Sequence, residues 1–169
     1  MATASVGDDR TAHPAMTEAV EAGALAVATF NAIPALLGGW LWYWGEPSEA
    51  SARTFWVLLR VGQGSALAFA LAVGSLAAAG KYASEDLFYL YALLPLAVGF
   101  VAEQLRVAAA QTILDQRGLP NAEAVGGLPD AAQRRLVAAI VRREVGVMTL
   151  SALVVVFLAL RAAGTAHGF

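Results

Sequence analysis

Cysteine is absent from the 169-residue chain. Without a thiol there is no disulfide, thiolate-bound zinc, iron–sulfur cluster, c-type haem attachment or thiol nucleophile. Histidine occurs twice, as His13 and His167, both near the chain ends. Neither position suits a haem ligand or a histidine metal cage inside a helical core, so no metal and no cofactor is expected. Charge is scarce as well: 14% of residues are Asp, Glu, Lys or Arg, against about 25% in an average soluble domain. The net charge of −2 supplies no basic field, so no nucleic acid is expected as a partner. G-x-G-x-x-G, Walker A and H-E-x-x-H patterns are missing too. With no catalytic constellation in view, a non-enzyme is favoured. Residues 1–17 have neither the basic start nor the apolar core of a signal peptide, and carry Asp8, Asp9 and Arg10 instead.

What the chain has is apolar surface. Hydrophobic residues make up 59% of it, and the mean hydropathy is +0.62. A disordered chain is excluded by these values. A bilayer core about 30 Å thick is crossed by about 20 helical residues. Residues 21–44, 54–79, 87–102 and 145–163 are stretches of that kind. Barrel strands would instead alternate polar and apolar residues over about ten positions. A soluble bundle would need more polar surface than remains. The expected fold class is therefore all-α, a polytopic membrane protein built as a four-transmembrane-helix bundle. A tail over 1–17, one transmembrane domain over 18–163 and a second tail over 164–169 complete the expected organisation.

Orientation follows from arginine and lysine in the short connections. Arg106, Arg117, Arg134, Arg135, Arg142 and Arg143 lie between the third and fourth segments, whereas only Lys81 lies between the second and third. Residues 107–142 are thus expected in the cytoplasm, with both termini outside. Trp40, Trp42, Tyr43 and Trp44 fall where the first helix reaches the cytoplasmic interface, and suit it as interfacial anchors. The third helix has no Gly or Pro from Glu103 to Gln116, so it continues past the membrane until Gly118 and Pro120 stop it. Asp130 is expected as the N-cap of a fourth helix running through Ala163. Together these two helices form a cytoplasmic hairpin. Its arginines serve either to grip anionic headgroups or to dock a partner. Pro120 and Gly126-Gly127 are expected to deny residues 118–129 regular structure.

Charges within apolar helices are costly and usually paired. Depth counting on antiparallel helices brings Arg60 to the level of Glu103. Arg106, Arg143 and Glu144 belong near that level, with Gln63, Gln104 and Gln111 in hydrogen-bonding range. This intramembrane polar cluster reads either as glue between helices or as a grip on a proton, an anion or a lipid phosphate. Pro34 and Pro95 each free a carbonyl; they read either as tolerated packing features or as kinks that open a small cavity toward the outer half. Gly62, Gly64, Ser65, Ala68, Ala72 and Gly74 give the second helix a small-residue surface for close packing.

The run Arg53 to Gln63, the run Asp86 to Tyr91 with Leu94-Pro95, and Val101-Ala102-Glu103-Gln104-Leu105-Arg106 resemble small uncharacterised membrane proteins of high-GC bacteria. The resemblance covers about residues 50–145. It implies a four-helix membrane fold and carries no activity. The expected function is that of an accessory or assembly subunit, with the lipid bilayer and other membrane subunits, or the chain itself, as partners. The alternatives are a small homo-oligomeric transporter or channel and a lipid- or quinone-binding protein.

Overall fold

Long runs of Ala, Leu and Val leave the backbone few alternatives to helix, and each helix ends where the side chains supply a stop. The computed structural model describes residues 14–44, 48–119 and 122–168. It contains α1 (Pro14–Trp44), α2 (Glu49–Ala78), α3 (Asp86–Gln116), the short α4 (Ala122–Gly126) and α5 (Asp130–Thr165). The N-cap Ser48 starts α2, its Oγ accepting from the Ser51 N–H at 3.2 Å. Two glycines close α2 and α3 in the same way. Gly80 (φ +77°) and Gly118 (φ +65°) adopt the left-handed conformation that lacks a steric penalty only without a Cβ. The next amides then fold back: Lys81 N–H donates to Leu76 O and Leu119 N–H to Leu114 O, each at 3.0 Å. This is the Schellman closure.

Four of these helices are long and apolar enough to cross a membrane, as a multi-pass protein requires. Large apolar side chains such as Leu36, Leu71, Phe100 and Phe157 point outward along them. Helix α5 packs along both α1 and α3, and α1 also carries α2. Between α2 and α3 the contact is much shorter, and α2 barely touches α5. The cross-section is thus an open ring in the order α2, α1, α5, α3, with α2 and α3 as its loose seam.

Tight packing belongs to α1 and α5. Ala24, Ala28, Ala35, Ala152, Ala159 and Ala162 are buried there, which lets the backbones approach closely. The small-residue surface expected on α2 is only partly used. Gly62 is buried against α1, while Gly64, Ala68, Ala72 and Gly74 are exposed. Their spacing carries most of that stripe around the helix to the side away from α1 and α5.

Three further expectations are corrected. Residues 118–129 contain regular structure, because Ala-Glu-Ala-Val favours helix and Gly126-Gly127 ends α4 rather than preventing it. Gln133 clamps this turn, donating to Gly126 O at 3.1 Å and to Leu128 O at 2.8 Å. Pro120 lies outside the described residues. Asp130 is not the N-cap of α5; Pro129 is, with no side-chain cap bond. Asp130 occupies the first turn, where its negative charge meets the positive end of the helix dipole. The tails are also shorter than expected. Pro14 to Thr17 are helical; the rest of the 1–17 tail, with His13, lies outside the described residues. Beyond Thr165 the chain is fastened: Ser84 donates through both N–H and Oγ to His167 O, each at 2.9 Å.

Candidate functional site

The α2–α3 seam carries the molecule's polar cluster. Arg60 is two turns and more inside α2, and Glu103 and Arg106 stand one turn apart on α3. Through one nitrogen, Nη1, Arg60 donates to Glu103 Oε1 and to Gln63 Oε1, both at 2.6 Å. Gln63 Nε2 reaches the same carboxylate oxygen at 3.4 Å. On the other side, Arg106 Nε donates to Glu103 Oε2 at 3.0 Å. Arg106 Nη1 lies 3.9 Å from Glu144 Oε2 on α5, and its guanidinium stacks over Trp56 at 5.3 Å. Two arginines and two glutamates therefore form one chain of contacts across α2, α3 and α5, with no net charge. Glu103 is its hub, since both its oxygens are occupied.

Arg143 and Gln104 do not join. Both are exposed and make no ion pair or side-chain hydrogen bond among the described residues. Each follows or precedes a cluster member by one residue, and a helix turns about 100° per residue. That step points Gln104 away from Arg60, and Arg143 away from Arg106. Gln111 is likewise exposed. Trp40, Trp42, Tyr43 and Trp44 form an exposed aromatic collar at the end of α1. Trp42 also packs over Gly146 of α5.

Above the cluster the seam opens into a cavity of about 250 Å³. Its lining comes from all four long helices and includes Asn31, Arg60, Gln63, Gly99, Phe100, Glu103 and Ser151. Pro95 lines this cavity, which adjoins Arg60 rather than lying toward the far half. Pro34 takes no part in the lining. Asn31 is only 1% exposed. Its Nδ2 donates to Val27 O at 2.9 Å and to Gly62 O at 3.1 Å, which pins α1 to α2. Sequence reasoning missed Ser151 and the Asn31–Gly62 contact. A lone amide on an otherwise apolar helix, facing a glycine on its neighbour, is the signal that would have found the second.

A second feature occupies the arginine-rich end. A groove of about 610 Å³ separates the first turns of α2 and α5. Val137, Ala138 and Val141 line it together with Glu49, Asp130 and Arg134. Arg134 and, elsewhere on the α3–α5 hairpin, Arg117, Arg135, Arg142 and Arg143 are exposed and form no ion pair among the described residues. No three His, Asp or Glu side chains among the described residues gather as a metal cage would require. No family model, curated protein or solved structure matches the chain.

Proposed function

We propose that the chain is a non-catalytic multi-pass membrane subunit that docks a partner subunit through the arginine-rich end of its α3–α5 hairpin. In this reading that end faces the cytoplasm and both termini face outside. The observation that carries it is the reach of α5 together with its arginines, which form no ion pair among the described residues. Counting about 20 residues back from Thr165 uses up the hydrocarbon core near Gly146. Trp42 sits against that glycine, as an interfacial ring would. Arg142 and Arg143 are then within reach of lipid phosphates. Arg134 and Arg135 stand about 12 Å farther along the helix, roughly 17 Å past Gly146, beyond a headgroup layer about 5–8 Å deep. Headgroup anchoring explains the first pair and leaves the second without a lipid partner. The groove beside Arg134 has an apolar floor and a rim of mixed charge, Glu49 and Asp130 with Arg134, and suits a protein surface that offers an apolar ridge and complementary charges.

The chain extracted in mild detergent is expected to carry foreign chains at fixed stoichiometry in native mass measurement. Arg134→Glu with Arg135→Glu should strip those chains while the protein stays folded and inserted. A single-species oligomer or a lone monomer, with the double variant indistinguishable, would overturn the docking role. Orientation has its own test in the cysteine-free chain. Arg117→Cys should be shielded from an impermeant thiol reagent in intact cells, and Lys81→Cys should react. The opposite pattern inverts the topology.

A further inference from the structure

We propose that the cavity between α2 and α3 binds the head of a neutral hydroquinone dissolved in the membrane, holding its two hydroxyls between Asn31 and Arg60. The inference starts from polar atoms that nothing satisfies. Asn31 spends both its hydrogen bonds as a donor through Nδ2, so its Oδ1 accepts none among the described residues. Arg60 uses only Nη1, leaving Nε and Nη2 without a partner among the described residues. The Ser151 hydroxyl makes no hydrogen bond among the described residues, although a helical serine often returns one to its own backbone. All three residues line the same cavity. Polar groups left unpaired in an apolar setting are costly, and together they describe a complementary guest.

That guest needs a donor for Asn31 Oδ1 and an acceptor for Arg60. A hydroquinone has a hydroxyl at each end of a ring, and each hydroxyl can donate and accept. The oxidised quinone has acceptors only, so it leaves Asn31 Oδ1 unmet. A fatty alcohol has one hydroxyl and reaches one end. Charge argues the same way. The adjoining cluster is already neutral, so an ionised headgroup would enter without a compensating charge. Size agrees too: a dry cavity of about 150 Å³ holds benzene, and about 250 Å³ takes a substituted ring. Leu67 and Phe100 line the cavity and are themselves exposed on the outer surface. The mouth therefore opens sideways toward lipid, where an isoprenoid tail would remain. No bond is made or broken; the site holds the reduced form.

Gly99 provides the decisive variant. A Cβ built there meets nothing within 4 Å, and the residue lines the cavity. Gly99→Leu should fill the space without a backbone clash. The probe is a decyl-substituted benzohydroquinone added anaerobically to the purified protein in detergent, beside the matching quinone and 1-decanol. The hydroquinone is expected to bind once per chain in native mass measurement and to raise the thermal midpoint by several degrees. The quinone should give a clearly smaller shift, and decanol none. Gly99→Leu should unfold at or above the wild-type temperature and lose the shift. Asn31→Leu should abolish the preference for the hydroquinone over the quinone. Equal shifts from hydroquinone and decanol would overturn the proposal. So would an unchanged shift in Gly99→Leu, or a tightly held phospholipid that the hydroquinone fails to displace.

Discussion

The two seams that hold α1–α5 and α2–α3 solve the same problem with opposite chemistry. Between α1 and α5 alanine and glycine make up nearly half of the buried residues, the backbones lie close, and no charged side chain is buried among the described residues. Between α2 and α3 the helices touch briefly and are joined by one carboxylate shared between two arginines. Packing is additive and rigid, because each small contact adds a little dispersion energy over the whole length. An ion pair is concentrated at one level and leaves the remainder of the seam free to part. The first seam is a structural spine. The second can admit a molecule without the spine being disturbed.

The largest expected effect comes from overfilling the spine. A Cβ on Gly38 would overlap Thr149 Oγ1 and lie 2.5 Å from Phe55 Cε2. Thr149 Oγ1 is already buried without a hydrogen-bond partner, so no bond is there to be traded. Gly38→Ala should cost about 3 kcal/mol, read as a fall in the thermal or detergent-unfolding midpoint. A loss under about 0.5 kcal/mol would mean that α1 and α5 are not tightly joined at that level.

Next comes the hub of the loose seam. Glu103→Ala leaves Arg60 and Arg106 facing one another without their shared carboxylate. A cost of about 2 kcal/mol is expected, between that of a polar contact among membrane helices and that of an orphaned buried charge. Arg60→Ala should cost less, since the Arg60 side chain is 55% exposed and the Glu103 side chain 26%. The double variant should lose less than the sum of the two. Strict additivity would show that the pair does not join α2 to α3 in the folded protein.

Much of this contrast could be read in the chain, for identifiable reasons. Four apolar stretches of spanning length leave little choice of secondary structure, and Gly80 and Gly118 mark ends because only glycine takes their φ readily. The meeting of Arg60 and Glu103 follows from depth on antiparallel helices. Depth, however, says nothing about azimuth. Gln104 and Arg143 lie at the right level and on the wrong side, which the 100° step alone would have indicated. Neighbour order is a property of the whole bundle, so the tight seam was expected on α2 and stands between α1 and α5. A cavity was legible in Pro95, but its place beside Arg60 was not, since that depends on how far α2 stands from α3.

A smaller effect separates the amides. Gln63 bonds both Arg60 and Glu103, whereas Gln104 bonds neither. Gln63→Ala should cost about 0.6 kcal/mol, the average for a polar contact between membrane helices. Gln104→Ala should leave the unfolding midpoint within error. Equal losses from the two would place Gln104 in the cluster after all, and with it a seam different from the one described.

The smallest effect tests whether the outer wall of α2 is bare. Gly64 is exposed, and a Cβ there meets nothing within 4 Å. Its φ is not positive, so alanine fits the backbone without strain. Alanine also restricts the unfolded chain, which favours the helix by about 0.5 kcal/mol or a little more. Gly64→Ala should therefore raise stability slightly at any protein concentration. Gly62→Ala, two residues away, should lower it, because its Cβ would lie 2.8 Å from Asn31 Oδ1 and 3.2 Å from Phe30 O. The opposite signs of these neighbours would fix which side of α2 faces α1. If Gly64→Ala is instead destabilising, and more so at high protein concentration, the stripe of Gly64, Ala68 and Ala72 is covered by a second copy in close contact. The loose seam would then border an interface rather than lipid alone.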